Sequence, residues 1–162
     1  MGRPLSTVVL AVGGESIREV AKQISLARDV GAKHLFIAAG LNDIILQHEP
    51  TEQIARSFDF LLRRIDVGQT ALVTLIPYVS DPALAPSIRA ANAIISDMAK
   101  RRGFVVIDLN PVLASKDNVR RPEMTTDGLH FTSQACAVWM DAVKAQIPQM
   151  GARWQALTKF HA

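Results

Sequence analysis

Among the polar residues of this chain, one acid and one histidine stand at a spacing that can do chemistry. In Thr126-Asp127-Gly128-Leu129-His130-Phe131 a carboxylate precedes an imidazole by three residues, across a turn loosened by Gly128. The Asp127 carboxylate can fold back onto the Nδ1–H of His130, which leaves Nε2 to take a proton. The competing reading is an ordinary turn, since Asp and Gly both favour turns and Thr132 or Ser133 can cap the helix that follows. A second polar cluster, Gly40-Leu41-Asn42-Asp43, follows an apolar run. The Asn42 amide is a candidate donor to a developing oxyanion, against the alternative that it only caps its turn. A third, Gly13-Gly14-Glu15-Ser16, opens a helix whose Ser16-Ile17-Arg18-Glu19 has the form of a capping box. Residue types and spacing thus supply a proton relay and an oxyanion donor, but leave the nucleophile open.

Four apolar runs must position these clusters. Thr7-Val8-Val9-Leu10-Ala11-Val12, Leu35-Phe36-Ile37-Ala38-Ala39, Ala71-Leu72-Val73-Thr74-Leu75-Ile76 and Phe104-Val105-Val106-Ile107 read as strands buried on both faces. Between them, apolar residues recur at helical spacing: Ile17, Val20, Ala21, Ile24 and Ala27; Ile54, Phe58, Leu61, Leu62 and Ile65; Ile88, Ala91, Ile95 and Met98. Thr51 is expected to cap the second of these helices and Pro86 to sit in the first turn of the third. A last helix carries Ala135, Val138, Trp139, Ala142 and Val143 inward and stops at Pro148. Strand alternating with helix predicts an α/β fold: three layers, α/β/α, around a flavodoxin-like parallel sheet of about four strands. The C-terminal ends of parallel strands share one edge, so the three polar clusters and the Pro77-Tyr78 segment are expected to converge there.

With 162 residues, 49% of them hydrophobic, the chain has the size and composition of a single domain over residues 1–162. The net charge of +3 comes from scattered groups such as Arg63-Arg64, Lys100-Arg101-Arg102 and Arg120-Arg121. They read as solvated helix ends and loops, so no nucleic-acid partner is expected. The single Cys136, flanked by Ala135, Ala137 and Val138, reads as a buried core thiol. No apolar run is long enough for a membrane span and no signal peptide is recognised, which makes the cytoplasm the default compartment. His34, His48 and His161 have no partner at ligand spacing, so no metal is expected. Trp139 reads as core, and Trp154 as a tail residue that packs or meets a partner.

Taken together, Gly40-Leu41-Asn42-Asp43 resembles the G-x-N-D block of the SGNH, or GDSL-type, hydrolases, and Asp127-Gly128-Leu129-His130 resembles their terminal D-x-x-H block. Ile76-Pro77, Asn92 and Val106-Ile107-Asp108-Leu109 also fall where family members carry similar residues. The resemblance implies a serine hydrolase acting on a carboxylic ester, either a small molecule or a carbohydrate, without a cofactor. Asp127 and His130 would be catalytic, and Gly14, Gly40 and Asn42 would form the oxyanion hole. The family's nucleophile lies in a G-D-S block after the first strand, and a second block after the next strand supplies an oxyanion glycine. Gly13-Gly14-Glu15-Ser16 can match either. As the first block it makes Ser16 the nucleophile. As the second it makes Gly14 the oxyanion glycine and Ser16 a helix cap, with the serine-bearing segment absent. In the family the first strand is central, so its loss would open a gap, most easily closed by laying residues 7–12 beside the Leu35 strand. The alternative from a different class is a catalytically silent domain that binds a ligand or a partner.

Overall fold

The computed structural model describes residues 8–146. Strands β1 (His34–Ala38), β2 (Thr70–Thr74) and β3 (Val105–Ile107) form a parallel sheet in the order β1-β2-β3, with Ile37 opposite Val73 and Leu72 opposite Val105. Because side chains alternate across a strand, the sheet feeds two cores. Leu35, Ile37, Ala71 and Val73 pack with helices α1 (Ile17–Asp29), α3 (Thr51–Leu62) and α4 (Ala85–Arg101). Leu72 and Ile107 face the other way, toward Leu113 and Met124 and toward Ala135, Val138 and Trp139 of α6 (Ser133–Gln146). The result is the α/β/α sandwich, completed by the short α2 (Leu41–Ile45) and α5 (Asn110–Leu113).

The helical stripes form as their spacing requires. Ile17, Ala21, Ile24 and Ala27 of α1 are buried, as are Ile54, Phe58, Leu61 and Leu62 of α3 and Ile88, Ala91, Ile95 and Ala99 of α4. At about 1.5–3 kcal/mol for each large side chain removed from water, these stripes dominate the favourable side of folding. Pro86 lies in the first turn of α4, and Thr132 Oγ1 accepts from Ala135 N to cap α6.

Four expectations are corrected. The run 8–12 forms no strand: Val8, Val9 and Val12 are more than half exposed, and only Leu10 packs partly onto the core. A β-branched run becomes a strand only where a neighbouring edge takes up its N–H and C=O groups, and no described strand pairs with this one, so the sheet has three described strands. Cys136 is exposed, because the inward stripe of α6 runs through 135, 138, 139 and 142 and position 136 is turned away from it. Arg120, read as a solvated charge, is 2% exposed. Pro50, not Thr51, is the N-cap of α3. Thr7, Pro148, Trp154 and His161 lie outside the described residues.

Candidate active site

The Asp127–His130 turn is held from within and from one side. Asp127 Oδ1 accepts the main-chain N–H of Leu129 at 2.9 Å and of His130 at 2.8 Å, and Oδ2 lies 2.7 Å from His130 Nδ1. The His130 N–H first, then its ring and the Leu129 N–H, hold the Asp127 carboxyl far below the usual carboxylate range. An ionised acceptor requires the proton on Nδ1, so Nε2 of the neutral ring is the basic nitrogen. The His130 side chain is 73% exposed. Gly128 has φ +90°, and a Cβ there would lie 3.1 Å from Ser80 Cβ; Ser80 N donates to Gly128 O at 2.9 Å. A bare glycine thus lets the turn dock on the segment leaving β2.

That segment is shaped by two buried asparagines. Asn92 Oδ1 accepts from Ile76 N at 2.8 Å and Asn92 Nδ2 donates to Ile76 O at 2.7 Å, replacing the ladder that ends with β2. Asn110 Nδ2 donates to the same carbonyl at 3.1 Å, and its Oδ1 accepts from Tyr78 N at 2.7 Å. Tyr78, Asp108 and Asn110 line a cleft of about 480 Å³ that extends to Ser115, Lys116 and Arg121. Asn92 was reached in the sequence only through the resemblance, and Asn110 not at all; an Asn two residues past a strand-ending Asp was the available signal.

Beyond the C-terminal end of β1, Asn42 Nδ2 donates to Glu15 O at 2.9 Å. An amide carries two N–H groups, so this bond orients Asn42 through one of them. Gly40 has φ +114°, a conformation that favours glycine, and a Cβ there would come within 2.7 Å of Ile76 Cδ1 at the exit of β2. Asp43, 2% exposed, accepts from Ile17 N at 3.0 Å, and burial pushes its carboxyl up from the usual value. Gly14 has φ +83° with open space around it.

Ser16 is the N-cap of α1 and 5% exposed. Its main-chain N and its Oγ both donate to Glu19 Oε2, at 2.7 and 2.9 Å. Donation from the Ser16 N–H first, and then from its hydroxyl, lowers the Glu19 carboxyl below the usual range. The structure therefore brings Asp127 to His130, and Glu15 between Gly14 and Ser16 to Asn42. No hydrogen bond joins Ser16 to His130. Among the described residues no three His, Cys, Asp or Glu side chains gather as a metal set, and no helix is long and apolar enough to cross a membrane.

A parallel α/β/α sandwich with an Asn-bearing turn after one strand and an Asp-His turn before the last helix is the architecture of the SGNH hydrolases. The sequence profile of the GDSL-like lipase/acylhydrolase family matches residues 1–138, and the chain belongs to that family. Solved structures with the same fold include a GDSL-like lipase from Bacteroides thetaiotaomicron, 16% identical, covering 85% of this chain and 73% of that one at a TM-score of 0.69. A member of the lipolytic G-D-S-L family from Veillonella parvula is also 16% identical, covering 82% and 74% at 0.70. A carbohydrate esterase family 3 protein from Talaromyces cellulolyticus, again 16% identical, covers 85% and 68% at 0.67. At such identities the likeness establishes the fold. No curated protein sequence matches the chain significantly.

Proposed function

We propose that this domain is an SGNH-type ester hydrolase in which His130, oriented by Asp127, moves the proton. The observation that carries this reading is the 2.7 Å pairing of Nδ1 with Oδ2 in a side chain that is largely exposed. The substrate is a small-molecule or carbohydrate ester, a class that also appears in the name of the Talaromyces neighbour. In the acylation step the Ser16 hydroxyl attacks the acyl carbon and passes its proton to His130 Nε2. The Oγ–C bond forms, and the alcohol leaves with that proton. Water then attacks the acyl-serine, giving its proton to the same nitrogen, and the serine is restored. Asn42 with the main-chain N–H groups of Gly14 and Gly40 holds the oxyanion. Ser16 must first release Glu19.

One observation favours a second reading, a catalytically silent member of the fold that binds a ligand or partner: Ser16 Oγ is committed to Glu19 and buried. Hydrolysis of an aryl acetate by the purified chain separates the two. The hydrolase reading expects turnover that falls about 10²–10⁴-fold in His130→Ala, a comparable loss in Ser16→Ala, and a serine-directed phosphonate bound to the peptide carrying Ser16. Turnover lost in His130→Ala but retained in Ser16→Ala removes Ser16 from the mechanism. Absence of both turnover and labelling supports the silent domain.

A further inference from the structure

Arg120 is a buried cation that forms no ion pair among the described residues. Its residue is 2% exposed, burial lowers its guanidinium to about 10, and Nη1 and Nη2 meet no hydrogen-bond acceptor among the described residues. Desolvating a charge in this way is costly, and a solvated loop arginine would avoid it. What the side chain touches is specific. Nε donates to Tyr78 O at 2.6 Å, the main-chain N donates to Val79 O at 3.0 Å, and Cζ lies 4.6 Å from the centre of the Phe131 ring.

Phe131 directly follows His130. Its ring meets Trp139 edge-on at 5.9 Å, and Trp139 Nε1 donates to Thr74 Oγ1 at the end of β2. The guanidinium thus lies between the two segments that must stay in register: the Tyr78–Ser80 strip on which the turn docks, and the ring that anchors the residue after the imidazole. A planar fork can donate sideways to a carbonyl while its central carbon lies over an aromatic ring. Lysine, a point charge on a flexible stem, cannot do both.

We propose that Arg120 is a positioning residue for His130, clamping Tyr78 to Phe131 so that the imidazole stays against Asp127. This rests on the proton-relay role given to His130 above, but its test does not require turnover. Ring ¹⁵N shifts of labelled histidine, assigned to His130 by their loss in His130→Ala, report which nitrogen of the neutral ring carries the proton. The wild type should show an excess of the Nδ1–H form. Asp127→Ala sets the value without the pairing. Arg120→Met, which removes the charge but keeps an apolar stem, should lose the Nδ1–H excess and move toward the Asp127→Ala value, and Arg120→Lys should do the same. Ile54→Ala, a cavity in the opposite core, should keep the wild-type ratio although it loses stability. Wild-type ratios in Arg120→Lys, or in a folded Arg120→Met, would overturn the proposal, as would an Ile54→Ala ratio that moves equally or a wild-type ring with no Nδ1–H excess. If Arg120→Met does not fold, Arg120→Lys decides alone. A chain inert toward esters would overturn the hydrolase reading and leave these shifts as informative as before.

Discussion

The segment leaving β2 and the segment entering α1 meet the same rim, and they are built in opposite ways. From Ile76 to Ser80 the main chain is held by Asn92, Asn110, Arg120 and Gly128, residues from four later parts of the sequence, and Ile76, Tyr78 and Val79 are buried. From Val8 to Gly14 the chain is apolar yet largely exposed; beyond it Asn42 reaches Glu15 O, Ser16 and Glu19 close a local cap, and Ile17 N reaches Asp43. Long-range partners fix a segment in space, whereas a cap fixes only the end of its own helix. The proton relay is therefore docked on a segment that distant residues hold. The candidate hydroxyl itself bonds only locally, to Glu19, although its neighbours in the chain are tied to Asn42 and Asp43.

The contrast can be broken by removing one partner on each side. Asn110→Ala strips a donor and an acceptor from buried main-chain groups of Ile76 and Tyr78, so it should cost on the order of 3 kcal/mol in urea unfolding. A loss below 1 kcal/mol would mean that water substitutes freely there and that Asn110 does not hold this segment. Ser16→Ala removes only the hydroxyl arm of the cap while the Ser16 main-chain N still reaches Glu19, so thermal unfolding should register about 1 kcal/mol or less. A substantially larger loss would show that the hydroxyl does more than cap.

The smallest effect is a titration. Asp127 is held below the ordinary carboxylate value, so its pairing is fully present above that value and is lost only as pH falls through the depressed one. In His130→Ala the ring is gone, but the main-chain N–H groups of residues 129 and 130 remain. The Asp127 carboxyl ¹³C midpoint should therefore rise only part of the way toward about 3.9. A return to the full unperturbed value would show that the ring, not the turn, organises the acid.

Much of this was legible in the residues. Helical stripes and three of the four apolar runs became the elements they read as, because burying such stripes is what folding rewards. The Asp127-Gly128-Leu129-His130 turn became a pair because every group that bonds the Asp127 carboxylate lies within three residues of it. Arg120 and Cys136 were misread for the same reason: charge or apolar neighbours in sequence do not say which way a side chain faces.

Local spacing alone determined the cap at Ser16, the acid-histidine turn and the inward faces of α1, α3 and α4, since each depends on residues within a turn or two of one another. Only the tertiary structure decided that Val8 to Val12 would not join the sheet, that Asn92 and Asn110 would both converge on Ile76, and that a guanidinium would be buried behind Phe131. Those outcomes depend on which distant groups arrive to satisfy a buried donor or acceptor, and hydrogen-bond demand is settled in space rather than along the chain.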